Sequence, residues 1–267
     1  HYCNFHQPPE ELCGQCRKGY LRFRGTGTER VESELHRLFP AQSIARMDAD
    51  TTKRRESHRE LYEAFKARQV IMLVGTQMIA KGLDFPNVTL VGIISADTSL
   101  NLPDFRASER TFQLVSQVAG RSGRGTRPGE VVIQTFDPEH YAIQCAVEHD
   151  YPAFYARELS ERQELKYPPF GSLVNILSRD PDHEEARNRL VLLVTHLKSA
   201  TMAARKGIDI LGPEPAVLSK LRGEYRWHLV LRSRDREAMV RLLRSALDQA
   251  PALRRQLTVD VDPVSML

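Results

Sequence analysis

Two arginines three residues apart, Arg121 and Arg124, stand in the stretch QVAGRSGRG that runs from Gln117 to Gly125. A pair of guanidinium groups can hold a carboxylate or a phosphate bidentately. The surrounding glycines are equally compatible with a surface turn. Upstream, VGTQMIAKGLDFPNVTLVG places Thr76 and Gln77 directly after an apolar run, followed by Lys81, Gly82 and the acid Asp84. A hydroxyl, free backbone amides and a lysine at a strand end suit a phosphate or a nucleic-acid backbone. The bland alternatives are a tight turn with a helix cap and, for Lys81, a solvated surface lysine.

Three further groups of residues could carry chemistry. Cys13 and Cys16 form a C-x2-C pair, a spacing at which two thiolates reach one tetrahedral zinc, and Cys3 in HYC stands like the second member of another pair. Four cysteines in a chain without a signal peptide do not suggest a disulfide framework, and Cys145 in EHYAIQCAVEHD reads as a core residue. The stretch KLRGEYRWHLVLRSR sets Lys220, Arg222, Arg226, Arg232 and Arg234 among Tyr225 and Trp227. That interleaving suits backbone contact with base stacking, or capture of an acidic peptide end. Trp227 is equally compatible with a core position, because alternate residues of a strand face inwards. In MDADTT, Asp48 and Asp50 read more simply as turn and helix caps than as catalytic acids.

The elements that would position these residues alternate. LRFRG from Leu21 reads as a strand, TERVESELHRLFP as a helix stopped by Pro40, and SIARMD as a strand. An amphipathic helix follows from Glu56 to Arg68. The runs Val70–Val74 and Val88–Ile94 do not alternate, which predicts strands of a parallel sheet buried on both faces. A helix from Ser108 to Ala119 leads into the arginine pair, and EVVIQTF from Glu130 adds a strand. Helices are expected over 138–165. The succession is that of an open α/β sheet, whose ligands bind beyond the carboxyl ends of the strands. KYPPFG, Lys166–Gly171, marks a boundary. Beyond it come a strand over 173–178, a helix over 183–204, strands near Ile208 and Trp227, a helix over 236–250 and the strand LTVDVD, a β-α-β-β-α-β succession.

At 267 residues the chain is long enough for two domains, and no apolar run approaches the roughly 18 residues of a membrane span. The start HYCNFHQPPEEL lacks the basic and apolar regions of a signal peptide, which predicts a cytoplasmic protein. Starting on His1 suggests a fragment or a trimmed terminus. Residues 1–150 hold 19 Lys+Arg against 19 Asp+Glu, and residues 151–267 hold 19 against 15, so the net +4 lies in the C-terminal part. This points that part towards an anionic partner, or else reflects a solvated basic face.

Together the two glycine-containing stretches resemble motifs V and VI of superfamily 2 helicases. More closely, GTGTERVESELHRLFP, MDADTT, GTQMIAKGLDFPNV, DFRASERTFQLVSQVAGRSGR, YPPF, LGPEPA and VDVDP occur in an order that resembles the PriA family of replication-restart DNA helicases, from end to end of the chain. The resemblance implies a fold: a remnant of a zinc-binding insertion over 1–20, a RecA-like helicase lobe 2 with a parallel sheet over 21–165, and a smaller α+β domain over 166–267 that binds DNA and partners. It implies ATP with Mg2+ held between this lobe and another. Arg121 and Arg124 would sense the γ-phosphate, Gln117 would position the nucleotide, and Gly82 and Asp84 would lie at the ATP site. Thr76, Gln77 and Lys81 would lie along single-stranded DNA, and Arg222 and Arg226 would contact DNA in the C-terminal domain. Cys3, Cys13 and Cys16 would be structural Zn2+ ligands, too few to close two sites, so zinc is expected to be weakly held or absent.

The implied activity is ATP-dependent 3′ to 5′ DNA unwinding that remodels stalled forks and starts primosome assembly for replication restart. The implied partners are branched and single-stranded DNA, the single-stranded DNA-binding protein and other primosome proteins, in the bacterial cytoplasm at the nucleoid and with no membrane. The chain contains neither G-x-x-x-x-G-K-[ST] nor a clear strand ending in paired acids, so alone it is not expected to hydrolyse ATP. Two rivals stay open: a RecG-like fork translocase of superfamily 2, against which the cysteine pairs, YPPF and VDVDP speak, and a non-enzymatic adaptor for DNA and protein.

Overall fold

The computed structural model describes residues 27–48, 55–80, 87–120, 128–200, 204 and 206–266, and the side chains of all of these but 55–57, 78 and 80. The expected strand from Leu21 lies outside these residues, as do the expected insertion remnant over 1–20 and Asp50 of MDADTT. The chain forms two compact units. Among the described residues the N-terminal unit holds 27–101 and 108–154, and the C-terminal unit holds 102–107 and 155–266. No helix among them is long and apolar enough to cross a membrane.

In the N-terminal unit the first helix, α1 (Thr28–Leu38), is joined to the first strand, β1 (Ile44–Met47), by polar contacts. The Thr28 hydroxyl donates to buried Asp48 at 2.6 Å, and Arg46 reaches Glu29 at 2.9 Å and both Glu32 and Asp48 at 3.4 Å. Asp48 thus satisfies neighbours and takes a structural place. A helical crossover, α2 (Arg55–Lys66), returns the chain to β2 (Met72–Gly75), which pairs parallel with β1 from Ile44↔Met72 to Met47↔Gly75. The short α3 (Gln77–Ala80) follows. Next come β3 (Leu90–Ile93), α4 (Asp97–Leu100), α5 (Ala107–Ala119) and β4 (Glu130–Ile133), with β3 and β4 again parallel.

The parallel pairing expected from the apolar runs is present, yet it forms two separate two-stranded sheets among the described residues instead of one continuous sheet. Burial on both faces is corrected too. Ile93 and Ile133 pack on the helices, while Leu90 and Val132 are 61% and 52% exposed. Among the described residues one face of the pair is covered, by the cluster of Ala96, Phe112, Val115, Ala142, Ile143, Ala146 and Phe154. The helices expected over 138–165 are α6 (Tyr141–Val147) and α7 (Tyr151–Leu165). His149 adopts φ 55 between them, and the Asp150 side chain accepts from the Ala153 amide at 2.9 Å, capping α7.

The segment 166–171 carries no helix or strand. After it, β5 (Ser172–Asp180), α8 (His183–Ser199), β6 (Ile208–Leu221), β7 (Glu224–Ser233), α9 (Arg236–Gln249), α10 (Leu253–Gln256) and β8 (Leu257–Val261) complete the C-terminal unit. The antiparallel sheet has the order β6-β7-β5-β8, the split β-α-β arrangement that the succession of elements predicts. Asp182 and Asp235 cap α8 and α9 by accepting from amides of their first turns. One sheet face meets these helices in a core where Val174, Ile176, Leu190, Leu193, Leu197, Leu229, Leu231 and Met239 are fully buried. On the other face Leu173 and Val230 are covered by Phe105, Tyr167 and Met266. β6 is an edge strand, which tolerates Pro213 and Pro215. The β6–β7 turn is two residues long, with Arg222 at φ 53 and Gly223 at φ 89, as a turn of type I′ requires.

Candidate functional site

The chemistry-bearing stretches sit where β2 and α5 end. β2 closes on Gly75, whose position allows nothing larger: a Cβ there would stand 2.3 Å from the Met47 carbonyl oxygen. This close approach of two parallel strands delivers the chain to Thr76 and Gln77, both exposed at the start of α3. The Thr76 carbonyl accepts from the Ile79 amide at 3.1 Å, closing the first turn. Neither side chain has a hydrogen bond among the described residues. Lys81, Gly82 and Asp84 lie outside the described residues.

α5 is an anchored rod. Phe112 stacks on Phe154 with ring centroids 4.2 Å apart, and Val115 and Thr111 are about as fully buried. Gln113, Gln117 and Gly120 form the opposite, exposed stripe. Gln117 therefore faces solvent in the last turn, and the chain passes directly from Gly120 to Arg121. Arg121 and Arg124 themselves lie outside the described residues. Gln117 has no side-chain hydrogen bond among those residues, and none joins it to Thr76 or Gln77.

In the C-terminal unit the basic and aromatic residues of KLRGEYRWHLVLRSR divide by strand alternation. Trp227 is buried in the core, with the Arg187 guanidinium 5.9 Å from its ring and the His183 ring at 5.2 Å. Lys220 lies 4.4 Å over the Tyr225 ring, and Arg222 projects at the hairpin tip, exposed. Arg232 is tied to Asp209 at 3.0 Å, to the Leu165 carbonyl at 2.9 Å and over the Tyr167 ring.

Arg226, expected as a DNA contact, is only 8% exposed. It stands opposite Arg179 in the β5–β7 register, its Nη1 donates to the Leu218 carbonyl at 3.5 Å, and its Nε is buried without a partner. Burial first, and Arg179 second, push its pKa below the ordinary arginine value. Next along the strand, His228 is pushed down from the usual histidine value by burial and then by Arg226.

Cys3, Cys13 and Cys16 lie outside the described residues, and among those described no group of three or more His, Cys, Asp or Glu could hold a metal ion. Cys145 is half-buried, and burial, with Asp150 and Glu148 nearby, pushes its thiol up, away from a reactive thiolate.

One arrangement escaped the sequence reading altogether. Asp104 and Phe105, at the head of the α5 motif, are buried against residues of the C-terminal unit far along the chain. The signal available was the acid-aromatic-basic triplet DFR placed just before a helix.

Comparison with known proteins divides the chain in the same sense. The helicase conserved C-terminal domain matches residues 25–126, and the primosomal protein N C-terminal domain matches residues 163–264. The replication restart protein PriA of Bacillus subtilis is 41% identical over 273 residues, covering all of this chain and 33% of that protein. Its counterpart in Synechocystis is 38% identical over 266 residues, covering all of this chain and 32% of that protein. The one in Treponema pallidum is 41% identical over 272 residues, covering all of this chain and 40% of that protein. The chain thus spans about a third of the length of the curated relatives it matches.

Proposed function

Because the chain belongs to the PriA family of replication restart proteins, we propose that it supplies the arginine-bearing RecA-like lobe and the C-terminal domain of an ATP-dependent 3′ to 5′ DNA helicase that remodels stalled forks and initiates primosome assembly. The observation that carries this reading is the exposed Gln117 at the end of a buried, stacked helix that leads straight into the arginine pair. A rigid helix with a glycine-rich exit is what two guanidiniums need in order to reach a phosphate across a cleft.

In this reading Gln117 positions the nucleotide, while Arg121 and Arg124 meet the γ-phosphate as charge redistributes during hydrolysis, Arg124 as the finger. Gly82 and Asp84 line the ATP site. Thr76, Gln77 and Lys81 contact the backbone of single-stranded DNA without reading its sequence. Arg222 makes a direct phosphate contact from the hairpin tip, and Arg226, withdrawn beneath the surface, adds to the positive field behind it. ATP brings Mg2+, and the phosphate-cradling loop and the acids for the metal belong to a lobe that this chain does not contain. Cys3, Cys13 and Cys16 have the donor chemistry for structural zinc, as part of a larger ligand set. Single-stranded DNA-binding protein and primosome proteins are the protein partners, at the nucleoid of a bacterial cytoplasm.

In the full-length protein, Arg124→Ala lowers DNA-stimulated ATP turnover by about 10³- to 10⁵-fold and leaves fork binding nearly intact. Parallel loss of turnover and binding would overturn the finger assignment. The second reading, a DNA- and protein-binding adaptor, is favoured by the lack of G-x-x-x-x-G-K-[ST] in these residues. It requires that wild-type full-length protein show no DNA-stimulated hydrolysis at all.

A further inference from the structure

Alternation along β5 and β7 puts Leu177, Arg179, Arg226 and His228 on the sheet face opposite that of Ile176, Trp227 and Leu229, which join the core under α8 and α9. Arg226 faces Arg179 across the two strands, and His228 comes next on the same face of β7. Two cations and an imidazole share one patch. Arg226 is 8% exposed, its Nε is buried without a partner, and its guanidinium makes one hydrogen bond, from Nη1 to the Leu218 carbonyl at 3.5 Å. The Nδ1 of His228 is likewise buried and unpartnered, and the exposed Arg179 guanidinium makes no ion pair among the described residues. One acid, Glu214 of β6, stands opposite His228 in the register and pairs with none of the three among those residues.

A buried cation without a counter-charge costs far more than a surface ion pair returns. The lowered pKa of Arg226, from burial first and Arg179 second, has the same origin. Such a cation is stabilised when an anion reaches it, and two guanidinium forks suit the oxygens of a phosphate. The cover over Arg226 is built to move. The β6–β7 register jumps from Pro215↔Trp227 to Lys220↔Tyr225, so residues 216–219 bulge opposite Arg226 without ladder partners there. Leu218 in this bulge is 51% exposed, and β6 is an edge strand. Its carbonyl can leave Arg226 without breaking a ladder bond, and a phosphate oxygen is the stronger acceptor.

We propose that Arg226 and Arg179, with His228 beside them, form a recess for one phosphate group of the DNA backbone, entered as the Leu218 carbonyl gives way. The proposal rests on the DNA-binding reading of the C-terminal unit given above and deepens it. Arg226 then touches the backbone itself, besides adding to the field behind Arg222.

The test measures fork-DNA affinity of the full-length protein against salt concentration, with melting temperature read alongside. Arg226→Ala and Arg179→Ala each weaken binding about 10-fold at low salt. Each also lowers the slope of log K against log[salt] by about one, the loss of one phosphate contact. Because both guanidiniums hold the same phosphate, the double variant loses no more slope than either single variant. Glu214→Gln removes the acid beside the recess and raises affinity by a smaller factor. Arg226→Ala keeps or raises the melting temperature, since it takes out a buried charge without a partner. If Arg226→Ala does not fold, the exposed Arg179→Ala decides alone. Wild-type affinity and slope in the folded Arg179 and Arg226 variants overturn the recess, as do slope losses that add in the double variant. Arg222→Ala measured alongside separates the two proposals. If it lowers affinity and slope while the recess variants match wild type, only the recess falls. If none of the three changes either quantity, the DNA-binding reading of this unit falls with it.

Discussion

Strands of nine, fourteen, ten and five residues build the sheet of the C-terminal unit, whereas among the described residues each of the four strands of the N-terminal unit is four residues long. The longer strands pair into one sheet with a helix-covered core in which Leu190, Leu193, Leu197, Leu229 and Leu231 lose all contact with solvent. The shorter ones form two-stranded sheets that leave Leu90, Ile94 and Val132 about half exposed. Two-stranded sheets are marginal in isolation, while four strands with a covered face are not. Yet the two stretches that resemble helicase motifs V and VI both belong to the N-terminal unit. The difference is one of how each unit is held: one is folded by extensive burial, and the other, among the described residues, by short elements with partly exposed apolar side chains.

The comparison breaks most readily at Leu229. It lies on the central strand β7, fully buried between β5 and β6. Leu229→Ala is expected to destabilise the C-terminal unit by about 2–5 kcal/mol. The sole tryptophan, Trp227, is buried in the same core, so intrinsic fluorescence during urea unfolding reports on this unit. Leu90→Ala, at 61% exposure, is expected to change stability by no more than about 0.5 kcal/mol. A Leu229→Ala cost below about 1 kcal/mol, or a larger one at Leu90, would erase the contrast.

A substitution inside the N-terminal unit sharpens it. Gly75→Ala would bring a methyl group to 2.3 Å from the Met47 carbonyl oxygen and 3.0 Å from the Ile79 side chain. The obstructing atom is backbone, so β1 and β2 must separate, at an expected cost of about 1–3 kcal/mol. Hydrogen exchange at residues 44–47 and 72–77 should accelerate while the C-terminal core stays protected. Unchanged exchange at the Gly75 amide and its β1 partners would show that the approach is looser than this geometry.

How much of this was legible in the sequence depends on the range of the interaction. Local signals worked: the helix starts expected at 183 and 236 are observed, each capped by the preceding Asp182 or Asp235, and the non-alternating runs around Leu73 and Val91 correctly indicated parallel strands. The length of β6 was hidden by Pro213 and Pro215, which argue against a strand until it is known to be an edge. The solvation of Leu90 and Val132 was hidden because apolar continuity says nothing about whether a second layer covers the sheet. Arg226 illustrates the same limit from the polar side. Alternation places it and Trp227 on opposite faces, and only the packed structure reveals that both are buried. The bond from Asp104 to Ser265 joins positions 161 residues apart, where periodicity and capping carry no information. Of the candidate site, α5 and the end of β2 were legible. The burial of Asp104 and Phe105 was not.

The smallest expected effect appears only at acid pH, and it belongs to the buried sheet. His228 sits on β7 opposite Leu177 of β5 and Glu214 of β6, beside Arg226, which itself faces Arg179, and its Nδ1 is buried without a hydrogen-bond partner. An added proton would have no acceptor and would meet a neighbouring guanidinium, so burial foremost and Arg226 second hold the pKa below the ordinary value of about 6.5. The unfolded chain therefore binds a proton below about pH 6.5 that the folded chain refuses, and stability falls as pH drops through that value until the depressed folded pKa is reached. Asp180, paired with Arg189, has its pKa lowered instead by the Asp182 amide and by Arg189, so its contribution disappears only as pH falls below the ordinary carboxylate range. Urea unfolding followed by Trp227 between pH 8 and pH 5 isolates the histidine. His228→Gln should flatten the acid-side decline, leaving the variant nearer to wild type at pH 5 than at pH 8. If the two slopes coincide, His228 takes up its proton in place, and the sheet of the C-terminal unit is more open on that face than its burial implies.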